Sequence, residues 1–150
     1  MTRIVWILLQ VALAVGIVLP VQFGINSQLS NFVGGPVAAA AISFVVGTVA
    51  LAVAALVVQS SLPEPGSAAS APWWAWTGGL LGAFFVLASI ILTPRLGAAT
   101  TIGLILTGQV LASVVIDHFG LIRVPVHEAS FPRIVGALLI VTGVVMVQRF

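Results

Sequence analysis

Four apolar runs, each about 20 residues long, leave this chain very few folds to choose from. They occupy residues 4–29, 37–58, 73–92 and 98–116. As helices rising 1.5 Å per residue, runs of this length cross the roughly 30 Å of a bilayer's hydrocarbon. The breaks between them carry turn chemistry: Gly34-Gly35-Pro36, a Ser/Pro/Gly/Ala-rich stretch at 60–72, and Thr93-Pro94-Arg95-Leu96-Gly97. No run alternates apolar and polar residues in the manner of a membrane barrel strand. A fifth span is expected at 132–149. Its apolar centre, 134–147, is short, but Arg133 and Arg149 flank it about 24 Å apart at helical rise and can snorkel to the two interfaces. Ser130 and Pro132 make a reasonable helix start. The expected fold is all-α and integral to the membrane: five transmembrane helices in a single membrane domain, 1–150, assembling as a dimeric bundle.

Composition agrees. The chain is 61% hydrophobic and 5% charged, with a mean hydropathy of +1.28, whereas soluble domains carry about 25% charged residues. There is too little polar side chain to clothe a soluble core. The amino end holds one arginine ahead of an apolar run of about 20 residues, longer than the 7–15 of a secretory signal, and no small-x-small cleavage site follows. It reads as a retained first span. The net charge of +2 comes from five dispersed arginines, with no lysine, against three acids. That is no basic patch for nucleic acid. The absence of cysteine excludes disulfides, thiol catalysis and thiolate metal sites.

Five spans put the termini on opposite sides. Arg3, Arg123 and Arg133 then share one side, and Arg95 and Arg149 the other. Orientation follows the basic bias of the loops, and three against two is hardly a bias. Either the chain inserts one way by a narrow margin, or it inserts both ways and pairs antiparallel. Trp6, Trp73, Trp74 and Trp76 all fall on the amino-terminal side, as an aromatic belt in contact with lipid.

Polar residues inside spans are the functional candidates, because such groups face protein or a water-filled cavity rather than lipid. The first span holds Gln10, Gln22 and Asn26, with Pro20 among them. Gln22 and Asn26 are one turn apart on one face. Pro20 cannot donate to the Gly16 carbonyl, so a kink or a free carbonyl is expected there, beside amides able to hydrogen-bond a solute. The alternative is that residues from Gln22 onward are the polar exit of the helix. Ala39, Ser43 and Gly47 form a small-residue stripe on the second span, and Gly78 and Gly82 a GxxxG on the third, both suited to close helix packing. On the fourth, Gln109, Ser113 and Asp117 recur at four-residue spacing, each turned about 40° from the last. Asp117 falls about 12 Å along the axis from Gln109, at the interface. It is either an interfacial acid beside His118 and a Gly120 turn, or a gating and coupling group. Asp117, His118, His127 and Glu128 share one loop, but their spacing matches no strong metal-ligand pattern, and neither a metal nor a cofactor is expected. No histidine falls within a span and no acidic pair lies at membrane depth, so an enzyme is a poor fit.

The stretches 21–51 (VQFGINSQLSNFVGGPVAAAAISFVVGTVAL), 73–86 (WWAWTGGLLGAFFV) and 108–125 (GQVLASVVIDHFGLIRVP) together resemble the YdcZ-like family of small five-span bacterial inner-membrane proteins, placed in the drug/metabolite transporter superfamily. The resemblance implies an inner-membrane transporter, with export as one direction open to it. It also implies likeness to the four-span small multidrug resistance proteins, which act as antiparallel dimers and carry an essential first-span glutamate. This chain has Gln10, Gln22 and Asn26 there instead, which suits a neutral or zwitterionic solute better than a cationic drug, or an anion if Arg95 reaches it. The expected function is a secondary transporter of a small polar molecule, working by alternating access in a homodimer or with a homologue. Its site would be lined by Gln10, Gln22, Asn26, Ser43, Gln109 and Ser113, with Asp117 and Arg95 as gating charges. The alternative is a non-transporting subunit packed beside a larger membrane protein.

Overall fold

The computed structural model describes residues 3–58, 66 and 70–149. Most of the stretch 60–72, expected to be a loop, lies outside the described residues. Five long helices are apolar enough to cross a membrane: α1 (Arg3–Phe32), α2 (Pro36–Val57), α3 (Gly78–Leu96, entered through a 3₁₀ turn at Trp73–Thr77), α4 (Ala98–Phe119) and α5 (Phe131–Arg149). The all-α, five-span expectation holds among the described residues. Contacts gather into two units, Met1–Arg95 and Leu96–Phe150.

The first unit is α1, α2 and α3. Gly34 and Gly35 turn the chain from α1 into α2 at φ of +85° and +122°, where glycine alone is unstrained. Pro36 then takes the first helical position, where its missing N–H is no loss. Ala39, Ala40, Val86 and Ile90 form a small buried cluster, flanked by Leu29, Val33, Phe85 and Leu87. Phe23 of α1 meets Phe85 of α3 edge to face at 5.6 Å. Such close packing draws on small residues, since lipid gives no hydrophobic drive for helices to associate. A Cβ added at Gly82 of α3 would stand 3.6 Å from the Phe44 ring, an ordinary contact.

Three spans differ in length from the sequence reading. Helix α1 runs unbroken through Pro20 to Phe32. Helix α3 continues past Thr93 and Pro94 to Leu96, because a proline removes one donor without obliging the chain to leave the helix. The stop is Gly97, at φ +81°. Helix α4 extends to Phe119 and ends on left-handed Gly120. Asp117 and His118 therefore belong to its last turn, and a histidine does lie on a spanning helix.

The second unit is the α4–α5 hairpin. Gly103 lets the helices approach so closely that an added Cβ would stand 2.9 Å from a Val144 methyl. The connection is tightly built. After Gly120 comes a 3₁₀ turn at Leu121–Arg123, in which Ile122 and Arg123 both take positive φ, an uncommon conformation for a β-branched residue. The His127 N–H donates to the Asp117 carbonyl at 2.8 Å.

Candidate functional site

The polar residues of the first unit converge at one place. Gln22 of α1 and Ser43, Phe44, Gly47, Thr48 and Leu51 of α2 line a cavity of about 230 Å³, with Val86 of α3. The glycine at position 47 and the serine at 43 leave the space; larger residues at either would fill it. Within the described residues the Ser43 hydroxyl and the Gln22 amide make no hydrogen bond, so both are open to a solute. Thr48 differs. Its hydroxyl donates to the Phe44 carbonyl at 2.8 Å, leaving its oxygen to accept. A larger cavity of about 510 Å³ opens between Val37, Ala40, Ala41 and Phe44 of α2 and Ala83, Phe84 and Leu87 of α3. Every lining side chain there is apolar, so it offers a polar solute nothing to bond.

Asn26, one turn from Gln22, is buried. Gln10 is exposed on α1 and does not reach the polar cavity. In the second unit Gln109 and Ser113 are exposed on α4, and Ser113 donates its hydroxyl to the Val110 carbonyl at 2.9 Å. Arg95 is exposed in the last turn of α3. Of the expected site residues, Gln22 and Ser43 thus line one cavity, together with Thr48, which the sequence reading does not single out. The missed signal was a hydroxyl residue adjoining the Ser43/Gly47 stripe.

Asp117 has a partner the sequence reading did not assign. Arg133 Nη2 donates to its Oδ2 at 2.5 Å, and Nη1 donates to the His127 carbonyl at 2.9 Å. Its position in the sequence suggests only an anchoring role for Arg133 at the interface. The two histidines of the loop are engaged as well. The Ala129 N–H donates to His118 Nδ1 at 3.2 Å, and His127 Nδ1 lies 3.0 Å from the Pro125 carbonyl, which it can approach only as a donor. Among the described residues no three His, Asp or Glu side chains gather into a group able to hold a metal ion.

Comparison with known proteins adds to this geometry. A model of the family described as "Putative inner membrane exporter, YdcZ" matches residues 7–146. The "Inner membrane protein YdcZ" of Escherichia coli (strain K12) is 42% identical over 80 residues, 53% of this chain and 53% of that protein. The match thus spans about half the length of that curated relative. No solved structure matches the chain. Five long apolar helices and an inner-membrane relative make it a multi-pass inner-membrane protein. The family description is that of a membrane exporter rather than an enzyme.

Proposed function

From the premise that this chain belongs to the YdcZ family of inner-membrane proteins, we propose that it is a small secondary transporter, of the exporter type, for a small polar or zwitterionic solute. One observation carries the reading. Gln22 and Ser43, two uncommitted hydrogen-bonding side chains on different spanning helices, line one cavity of the first unit, beside Thr48. Polar groups at such places are costly in a membrane and mark solute pathways. Sites of this kind combine an apolar wall with a few placed polar groups. Here Phe44, Leu51 and Val86 supply the wall.

One chain of five spans encloses little, so the working unit in this proposal is a dimer, parallel or antiparallel, or a pair with a homologue. Gln10, Gln109 and Ser113, exposed in the single chain, would then face the second copy or the solute path. The two units act together as one membrane domain. In an antiparallel pair Asp117 and Arg95 serve as the gating charges: Asp117 exchanges its own Arg133 for Arg95 of the second copy as access alternates. The rival reading, a subunit that packs beside a larger membrane protein without moving solute, predicts a different biochemistry. Purified protein in liposomes, offered a panel of small neutral, zwitterionic and anionic solutes, should show flux. No flux across that panel, with a larger membrane protein co-purifying stably, contradicts the proposal.

A further inference from the structure

The polar group least explained by the fold is the side-chain amide of Asn26. The residue is 4% exposed, and its Nδ2 is buried with no hydrogen-bond partner. A buried donor left without an acceptor is destabilising, and the large majority of buried side-chain polar atoms escape that cost. Other buried polar residues of the chain do escape it. Ser89 donates to the Val86 carbonyl at 2.7 Å and Thr101 to the Gly97 carbonyl at 2.8 Å. A leucine has the same γ-branched shape and carries no donor to satisfy. An asparagine at this position needs an acceptor from outside the fold.

The surroundings narrow what that acceptor is. Gln22 stands four residues earlier on the same face of α1, about 6 Å along the axis, and lines the polar cavity. Asn26 lies one turn beyond that cavity, toward the Gly34–Gly35 turn, as a donor closed over in this conformation. The chain's three acids are Glu64, Asp117 and Glu128, and none lies on α1, α2 or α3. A cation entering there would meet no carboxylate of α1, α2 or α3 to offset its desolvation. A carbonyl or carboxylate oxygen would meet a free N–H.

We propose that Asn26 Nδ2 is the specificity-determining donor for a C=O acceptor of the solute. The site between α1 and α2 then takes carboxylate- or carboxamide-bearing molecules and rejects simple cations. This rests on the transporter reading and names its substrate class. The solute's oxygen reaches Asn26 when alternating access parts the helices below Gln22.

The test uses three probes of one carbon skeleton: propionate, propionamide and propylammonium. Each is added to the purified full-length protein in detergent, and the thermal unfolding midpoint is followed against concentration, since a ligand of the native state raises it. Propionate and propionamide should raise the midpoint of the unsubstituted protein, and propylammonium should not. Asn26→Leu should weaken that protection at least tenfold, while its probe-free midpoint is no lower than that of the parent, because an unpaired donor has gone. Asn26→Ala removes the donor without adding bulk and should lose protection equally. Protection by propionate intact in both variants overturns the assignment. So does equal protection by propylammonium, or protection by none of the three. If liposome assays still show other solutes carried, Asn26 alone was misassigned; if nothing of any class is carried, the transporter reading itself fails.

Discussion

Arg133, in the first turn of α5, holds Asp117, in the last turn of α4, through a 2.5 Å contact between Nη2 and Oδ2. Its other terminal nitrogen holds the carbonyl of His127. One guanidinium thus joins both helix ends and the loop between them. The planar fork of arginine makes this possible; a lysine has one ammonium and no such geometry. The side chains are 38% and 23% exposed, so the pair is neither a surface ornament nor a sealed ion pair.

Asp117→Asn and Arg133→Ala should each destabilise the α4–α5 hairpin by about 1 kcal/mol, nearer the exposed than the buried end of measured ion pairs. A double-mutant cycle on thermal midpoints should return a coupling of the same order. Zero coupling shows that the contact contributes nothing.

If Asp117 also gates, its amide should slow turnover by more than the stability loss accounts for. Arg95→Gln should slow it similarly with no effect on the hairpin, since Arg95 lies outside the second unit. Turnover unchanged in both variants removes these charges from the mechanism.

His118→Phe should loosen the loop, because its Nδ1 accepts the Ala129 N–H. One exposed hydrogen bond is worth about 1 kcal/mol. Exchange of the Ala129 amide should therefore quicken about fivefold. Unchanged exchange means that the bond does not protect that amide.

Gly103→Ala should cost about 1–3 kcal/mol, the range for overpacking, since its Cβ would press on Val144 from 2.9 Å. Val144→Ala should restore most of the loss. A neutral Gly103→Ala contradicts the close approach of α4 and α5.

The five spans were legible because hydrocarbon thickness dictates their length and glycines follow α1, α3 and α4. Their limits were less so. Pro94 looked like a stop, yet a proline costs a helix one hydrogen bond and need not end it; Gly97 ended it instead. Gln22 and Ser43 could be singled out as polar residues in apolar runs, but their meeting depends on how α1 packs on α2, which residue spacing does not encode. Arg133 was missed as the partner of Asp117 for a related reason. The loop between them folds back through Gly120 and the left-handed Ile122 and Arg123, and positive φ at two non-glycine residues leaves no trace in a sequence.

Three arginines against two across the membrane also bear on assembly. Reporter fusions at the carboxyl end should show both orientations, and two lysines added at the amino end should fix one. A single orientation in the unaltered chain removes the argument for an antiparallel homodimer and favours a parallel dimer or an oppositely oriented homologue.

The central claim is that the cavity between Gln22 and Ser43 is where solute binds. Its most direct test is solute uptake into liposomes by the unaltered chain and by Gln22→Ala and Ser43→Ala, at matched protein incorporation. Each hydrogen bond to solute is worth about 1 kcal/mol, so each variant should raise the half-saturating concentration about fivefold, with Leu80→Ala, on the exposed face of α3, unchanged. Equal uptake kinetics in all four proteins would contradict the account.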